Sequence, residues 1–421
     1  MIRPAIGTIA TRVFVQVMNL LVIVVAGHRL GAVGLGDISL VVLGITIVML
    51  VNNLVGGGAL VYLVPRHPLK ELLPPAYAWA VITAGIAWVL VKVLPLVPDR
   101  FEGHVVVLAF IQSIYTVHMN VLLGRQRIRA FNLLGGAQAL VLLLVFAVLV
   151  FRPTGDPMDY VWASYAAFGT TLIGSTFAMW RGGAATSIVP GESVLRVLLR
   201  QGFLIQSANL LQLMNYRLAY YLVERFQGLA ALGIYSVGNQ LSESAWLGPK
   251  ALGTVLYSRV SNSDDAERNR RTTLTVLKAA VAFAGLVLLV LLLVPEPLFQ
   301  WAFGPEVVGI TPLVLLLAPG ILAMAASQAL SHYFSGIGAN GHNAIGSGLG
   351  LLVTVLLGMQ LIPTQGIHGA AITASVAYGL NVLYQGVVFM VRTGSTPLDL
   401  LPHAGDLERV RGIWSALRAR R

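Results

Sequence analysis

The sequence predicts an all-α membrane protein with twelve transmembrane helices, arranged as two pseudo-symmetric six-helix lobes around a central cavity. Composition is the first observation: 57% of the 421 residues are apolar and 11% are charged, whereas soluble domains carry about 25% charged residues. The second is a series of apolar runs long enough to cross about 30 Å of hydrocarbon, recurring up to residue 392. The third is a glycine pattern that occurs once in each half.

The apolar runs define the twelve predicted spans, six in each half of the chain. In the first half they cover 8–28, 37–64, 73–95, 103–123, 131–151 and 158–180; in the second they cover 197–223, 230–258, 272–295, 307–336, 342–362 and 367–392. The first run, 9–27, is long for a signal-peptide core and is interpreted as a retained span.

The predicted lobes are residues 1–180 and 197–392, joined by a linker at 181–196 that is rich in Gly, Ala, Ser and Pro. The tail, 393–421, places Leu407, Val410, Trp414 and Leu417 on one helical stripe. We expect this stripe to lie on the inner membrane surface as an amphipathic anchor.

The net charge of +11 is explained by the positive-inside rule, because Lys and Arg concentrate in alternate loops. Placing these loops in the cytoplasm predicts a multi-pass membrane protein whose N- and C-termini are both cytoplasmic. The outer loops carry acids such as Asp99, Asp156 and Glu306. Anionic membrane lipids are the expected partners of the basic loops, and nucleic-acid binding is not supported.

The glycine pattern relates the two halves at an offset of 197 residues. Gly31, Gly36 and Ser39 align with Gly228, Gly233 and Ser236, at the predicted turn between each lobe's first two spans. An even number of spans per half gives the repeats the same orientation in the membrane, and a substrate path is then expected between the lobes.

Polar residues mark one face of several spans. In the first span, Thr8, Arg12, Gln16 and Asn19 follow helical spacing, as do Asn239, Glu243, Trp246 and Lys250 in the eighth. Glu243 and Lys250 lie about 10 Å apart along the helix axis, too far for a direct ion pair, so each needs another partner.

A charged side chain at the bilayer centre costs at least about 2.5–3.5 kcal/mol and usually faces a bundle interior or a water-filled cavity. We therefore predict a cavity lined by these polar side chains. The alternative is that Glu243 pairs with Arg217 or Lys250 only to hold helices together. The predicted substrate-binding residues are Arg12, Asn19, Asn53, Asn209, Tyr216, Arg217, Tyr220, Asn239, Glu243, Trp246 and Lys250.

Enzyme motifs are discounted. Residues 336–341 fit G-x-G-x-x-G but lie between two spans with no preceding strand, so we expect a tight helix turn. No Walker A sequence is present, and without cysteine the chain offers neither disulfides nor thiolate ligands. His118 and His332 are expected to be hydrogen-bonded bundle residues. The sequence predicts no catalytic residue, metal site or cofactor.

Four stretches resemble the polysaccharide-export branch of the MOP exporter superfamily, the Wzx-type flippases of O-antigen and capsule repeat units. They are His28–Leu40, Leu232–Ser236, Phe303–Pro305 and Leu361–Ala371. The resemblance implies a transporter, not an enzyme, that alternates between inward-open and outward-open states and moves a lipid-diphosphate-linked oligosaccharide to the extracytoplasmic leaflet.

The resemblance also implies roles for the cavity residues. Arg12, Arg217 and Lys250 would bind the diphosphate, because guanidinium and ammonium groups pair well with phosphate oxygens. Trp246, Tyr216 and Tyr220 would stack on sugar rings, and Glu243 would tune the cations or carry a proton. A proton or a sodium ion is the candidate coupling ion, and polysaccharide polymerase machinery is a candidate partner.

The sequence leaves three other classes of function to consider. A drug or cation antiporter of the same superfamily would favour acidic over basic cavity residues. A membrane-embedded glycosyltransferase or ligase would need a sizeable outer loop with catalytic side chains, and the outer loops here are short. A silent scaffold for an assembly complex is the third alternative.

Overall fold

The structure, a computed structural model, describes residues 2–65, 67–94, 96–180, 194–263 and 265–400. Most of the predicted linker and the tail beyond residue 400 lie outside the described residues. Within them there is no strand, and the helices are α1 Ile2–Gly56, α2 Gly58–Leu63, α3 Leu69–Val93, α4 Glu102–Gly124, α5 Ile128–Val150, α6 Met158–Trp180, α7 Val194–Glu243, α8 Leu247–Val260, α9 Ala266–Leu293, α10 Glu296–Phe303, α11 Ile310–Gly336 and α12 Gly341–Thr393.

Three of these helices, α1, α7 and α12, each combine two predicted spans. They do so through one non-helical residue: Gly31 (φ 64°, ψ −168°), Gly228 (φ 83°, ψ 177°) and Gly366 (φ 59°, ψ −136°). These dihedrals belong to a region that is open essentially only to glycine. The predicted turns at 29–36 and 224–229 are therefore single-residue hinges, because one glycine is sufficient to reverse a helix.

The second span of each half is interrupted, which the sequence analysis did not predict. Residues Ser244–Trp246 form a 3-10 turn between α7 and α8. Pro249 accounts for it, because a proline has no N–H and its ring clashes with the carbonyl four residues earlier, that of Ala245. In the first half, α1 ends at Gly56 and Gly57 separates it from α2.

The short helix α10 was not predicted. It is followed by Gly304 at φ 102° and Gly309 at φ 77°, which bring the chain from α10 into α11. The G-x-G-x-x-G segment is a tight turn between α11 and α12, with Gly338 at φ 74°. The prediction of a helix turn there is confirmed.

The described residues form two compact units. Of the described residues, unit 1 contains those within 1–213, 223–237 and 296–308, and unit 2 contains those within 214–222, 238–295 and 309–400. Unit 1 thus includes two segments from the second half of the chain. The predicted lobe boundaries at 180 and 197 stay a prediction.

Each unit has its own apolar core. In unit 1, α1, α3 and α4 pack around Leu72, Ala76 and Val121. In unit 2, α8, α9, α11 and α12 pack around Leu256, Phe334 and Phe389. Many large apolar side chains on the outside of the helices remain exposed, including Trp88, Trp162 and Trp301, as expected for surfaces that face lipid.

The start of α9 belongs to the predicted basic loop of the cytoplasmic side. Hydrogen bonds from Arg270 and Arg271 lower the pKa of Glu267 to about 2, so this carboxylate is ionised at neutral pH. It neutralises part of the positive charge at its own helix end. Arg270 also lies 3.7 Å from Asp399, in the short 3-10 helix Pro397–Leu400.

Candidate functional site

The strongest polar cluster among the described residues within the spans is in unit 2, where α7 doubles back at Gly228. Because the two arms of α7 run back along each other, Arg217 and Tyr220 on the first arm meet Asn239 and Glu243 on the second. The hinge glycine therefore positions the site, although it lies eight or more residues away from each member.

The four side chains form a closed hydrogen-bonded ring. Nη2 of Arg217 donates to Oε2 of Glu243 at 2.8 Å, and its Nη1 donates to the Tyr220 hydroxyl at 2.7 Å. Nδ2 of Asn239 donates to Oε1 of Glu243 at 2.7 Å and to the Tyr220 hydroxyl at 3.2 Å. Both carboxylate oxygens of Glu243 thus have donors, which satisfies the main condition for placing a carboxylate at membrane depth.

Asn239 is 1% exposed and leaves its Oδ1 atom buried without a hydrogen-bond partner among the described residues. The amide orientation is fixed by Glu243, since only Nδ2 can donate to a carboxylate. Arg217 also lies over the Tyr220 ring, 4.9 Å from its centroid. The guanidinium is therefore held by a carboxylate, a hydroxyl and an aromatic face.

An aromatic cluster lies next to this ring in unit 2. The ring of Tyr216 is 5.5 Å from those of Trp246 and Tyr378, centroid to centroid. Trp246 is 2% exposed and donates from Nε1 to the carbonyl of Ile321. In this conformation its indole packs inside unit 2, so its predicted stacking on sugar requires the unit to open. That role stays a prediction.

Lys250 is exposed, and its Nζ atom lies 5.8 Å from the Trp246 ring centroid. For Glu243 the expectation of another partner is confirmed, since it pairs with Arg217 and Asn239. An ion pair between Arg217 and Glu243 is also what the helix-holding alternative predicts.

The other predicted site residues belong to unit 1. Arg12 and Asn209 are exposed, and Asn19 is half-buried. Nδ2 of Asn209 donates to Gln206 at 3.1 Å. Asn53 is half-buried beside the interruption at Gly57, and its Oδ1 atom has no partner among the described residues. The substrate-binding roles of these residues stay predictions.

His118 is the centre of a second buried polar group, in unit 1. Its Nε2 atom lies 2.7 Å from the Tyr77 hydroxyl and its Nδ1 atom 3.2 Å from the Ser175 hydroxyl. His332 contacts the Gln328 carbonyl at 2.6 Å. Both histidines are hydrogen-bonded, as predicted. Among the described residues, no group of three or more His, Asp and Glu side chains is arranged to hold a metal ion.

Sequence reasoning missed Tyr378, which completes the aromatic cluster. Asn215 on α7 accepts a hydrogen bond from Thr354 at 3.3 Å. A signal for Tyr378 was present, because Tyr378, Asn381 and Gln385 are spaced by three and four residues on one face of the last span. All three are buried.

Comparison with solved structures identifies the fold. The chain is similar to an inward-facing multidrug resistance MATE family transporter of the MOP superfamily (TM-score 0.73, 14% identity, covering 90% of this chain and 94% of that one). It is similar to the lipid II flippase MurJ in an inward closed conformation (TM-score 0.72, 12% identity, covering 95% of this chain and 89% of that one). It is also similar to the MATE multidrug transporter DinF-BH (TM-score 0.67, 14% identity, covering 92% of this chain and 94% of that one).

No protein-family model matches the sequence, and no curated protein sequence matches it either. The structural similarity extends over at least 90% of the chain in all three comparisons. The described part of the chain is thus all-helical, and the chain is a multi-pass membrane protein with the fold that MATE transporters and MurJ share.

Proposed function

We propose that this protein is a flippase that moves a lipid-diphosphate-linked oligosaccharide from the cytoplasmic to the extracytoplasmic leaflet by alternating access. It would work in the bacterial inner membrane with both termini in the cytoplasm. The observation that carries the proposal is the guanidinium of Arg217, held at membrane depth by Glu243 and Tyr220. The shared fold with a lipid II flippase supports the transporter class.

Binding of a diphosphate headgroup is supported by the cationic side chains of the candidate site. A diphosphate brings negative charge that only cations or strong donors can neutralise away from water. Arg217 is a half-buried cation of unit 2, Lys250 is an exposed cation on the following helix, and Arg12 is an exposed cation of unit 1. The lipid tails would stay in the bilayer while the headgroup passes along these cations.

Glu243 pairs with Arg217 when no substrate is bound. Its carboxylate occupies the face of Arg217 that a phosphate would use, so the headgroup has to displace it. Once displaced, Glu243 needs a proton, a sodium ion or Asn239 as its remaining partner, because an unpaired carboxylate is costly inside a membrane. This gives Glu243 the tuning role expected from the sequence and makes a proton or sodium ion the candidate coupling ion.

The main alternative is export of an organic cation, since two of the similar structures are multidrug transporters. The observation that favours it is Glu243, the acidic member of the ring. Against it, the ring already pairs that carboxylate with a guanidinium, so its charge is not available to an incoming cation without release of Arg217.

The test is complementation of a strain that lacks this protein, with surface glycan as the readout. Arg217→Gln and Lys250→Gln are compared with Arg225→Gln, which removes an exposed cation from the same helix α7 as Arg217. Loss of glycan in the first two variants at equal protein levels, with Arg225→Gln unaffected, is the expected result.

Undiminished glycan from both Arg217→Gln and Lys250→Gln would overturn the diphosphate role. The same strains are tested for efflux of a cationic dye. Efflux by the wild type that is lost in Glu243→Gln, without any change of the glycan, would favour the cation exporter instead. Polymerase machinery is a proposed partner, to be sought by co-purification with the expressed wild-type protein.

A further inference from the structure

The first hinge is packed backbone against backbone with segments from the second half of the chain, all within unit 1. A Cβ atom at Gly36 would overlap the carbonyl oxygen of Leu229, and one at Gly233 would overlap that of Ala32. A Cβ atom at Gly27 would likewise overlap the carbonyl oxygen of Phe303. Glycine permits this approach because it has no side chain.

Glu306 brings a carboxylate to this contact. Its Oε2 atom accepts a hydrogen bond of 2.9 Å from the backbone N–H of Ala32. That N–H follows Gly31, where the helical pattern is broken, so it is one of the donors left free at the start of a helix. The carboxylate therefore caps the second arm of α1. Its negative charge also interacts favourably with the positive end of that arm's helix dipole.

The position of Glu306 depends on the segment after α10. Gly304 has φ 102° and packs against the carbonyl oxygen of Gly27, and its carbonyl accepts from the N–H of Val307 at 3.1 Å. Glu306 is thus held in a short loop whose other end continues into α11. This loop reaches the hinge of the other half of the chain.

The equivalent hinge of the second half lacks this arrangement. Gly228 has the same backbone conformation as Gly31, but a Cβ atom built on it would meet no atom within 4 Å. The two hinges therefore differ in one respect that matters for motion: the first is capped from outside its own helix.

We infer that Glu306 is a latch that keeps the contact between the Gly27–Gly36 segment and residues 229–233 closed, and that this contact opens when the capping bond breaks. The inference rests on the proposed alternating-access function and on the orientation that places the hinges at the extracytoplasmic side. Glu306 acts through the backbone of Ala32, so it is a positioning residue and not a ligand of the substrate.

The test uses the absence of cysteine from the chain, since a single introduced thiol has no background. Ser236 lies three residues after Gly233, on the same helical face, and is 8% exposed. Ser236→Cys is labelled with a maleimide in protein reconstituted into lipid nanodiscs without substrate. The labelling rate then measures the fraction of time for which the contact is open.

We expect Glu306→Ala to raise the labelling rate about tenfold, the effect of losing one charge-assisted hydrogen bond worth about 1.4 kcal/mol. Glu306→Gln keeps an acceptor oxygen without the charge and should give a smaller increase. Asp99→Ala removes an exposed outer-loop carboxylate in the same way and should leave the rate unchanged.

A wild-type rate in Glu306→Ala would overturn the latch, as would an equal increase in Asp99→Ala. If Glu306→Ala does not fold, Glu306→Gln decides: an increased rate supports the latch and an unchanged rate overturns it. Labelling needs no substrate, so this result is independent of the glycan assay. A latch without glycan export would leave the inference standing and remove the flippase proposal.

Discussion

The first two spans of each half have the same backbone plan and different chemistry. Both pairs are single helices folded back at a glycine of nearly the same dihedral angles, Gly31 and Gly228, 197 residues apart. In the first pair, the hydrogen bond between Glu306 and Ala32 lies at the hinge. In the second pair, the hydrogen bonds lie along the arms, in the ring of Arg217, Tyr220, Asn239 and Glu243.

Arg29 adds to the ties of the first hinge. Its Nε atom donates to the carbonyl of Val150 at 3.2 Å and its Nη2 atom to that of Arg152 at 3.3 Å, at the end of α5. Arg100 similarly pairs with Asp37 and Asp156. The two copies of the backbone plan thus differ in their side-chain contacts: one is tied at its hinge, and the other has its ionic and hydrogen-bonded ring along its arms.

The largest effect that tests this difference is expected from Arg217→Ala. It leaves the half-buried carboxylate of Glu243 without its cation, which should destabilise the protein by about 3 kcal/mol. Arg12→Ala, in the corresponding first span, should change stability by less than about 0.5 kcal/mol because Arg12 is exposed. The thermal midpoint in detergent, followed by the fluorescence of the seven Trp residues, measures both.

A double variant separates stability from function. Arg217→Met with Glu243→Leu removes both charges and should recover most of the lost stability, since apolar replacement of a buried pair is often neutral. Glycan export should remain lost. Equal destabilisation by Arg12→Ala and Arg217→Ala would contradict the division between the two repeats.

The hinge glycines provide the next comparison. Alanine at Gly31 or Gly228 has to adopt a backbone conformation that costs about 1–3 kcal/mol. Gly31→Ala should cost more than Gly228→Ala, because its methyl group would also overlap the Glu306 carboxylate. The midpoint difference between the two variants should disappear when both are made in a Glu306→Ala background. A difference that persists there would mean that Glu306 is not its source.

The sequence predicted the repeated backbone plan better than it predicted the geometry of the hinges. The offset of 197 residues identified both hinge glycines, because a position that requires positive φ selects glycine. It could not show that each hinge is one residue long, since the flanking residues His28–Leu30 and Glu224–Gln227 are polar enough to suggest a loop. The 3-10 turn at Ser244–Trp246 was foreseeable from Pro249, but an apolar run conceals such an interruption.

The sequence predicted the members of the site better than their pairing. Helical spacing along α7 identified Asn239 and Glu243, and the cost of a buried charge identified Arg217. Which of them pair depends on how the two arms of α7 lie against each other, and spacing within one helix does not determine that. Glu306 was expected only as an outer-loop acid, because its contact with Ala32 joins residues 274 positions apart.

The glycine contacts between the halves should show an effect no larger than that of the Gly31 hinge. Gly36→Ala and Gly233→Ala each place a methyl group on a backbone carbonyl oxygen, and overpacking of this kind costs about 1–3 kcal/mol. Gly85→Ala is the matched control, since it lies within α3 and its Cβ atom would meet nothing within 4 Å. The control should be neutral or slightly stabilising, because alanine favours helix more than glycine does. Thermal midpoints equal to that of Gly85→Ala would show that the halves do not touch there.

A change of stability about as small as that at Arg12 is expected at Lys250. This variant sharpens the comparison because the charge lies in the second repeat but outside the ring. Lys250→Met removes a cation 5.8 Å from the Trp246 ring centroid, an interaction worth about 0.5 kcal/mol at an exposed site. Methionine keeps much of the apolar contact, so the thermal midpoint should stay close to that of the wild type. If the charge serves the substrate, glycan export should nevertheless fall, and Lys250→Arg should restore it. A thermal loss as large as that of Arg217→Ala would instead place Lys250 in the structural network of unit 2, and the separation between the ring and the exposed cation would then be wrong.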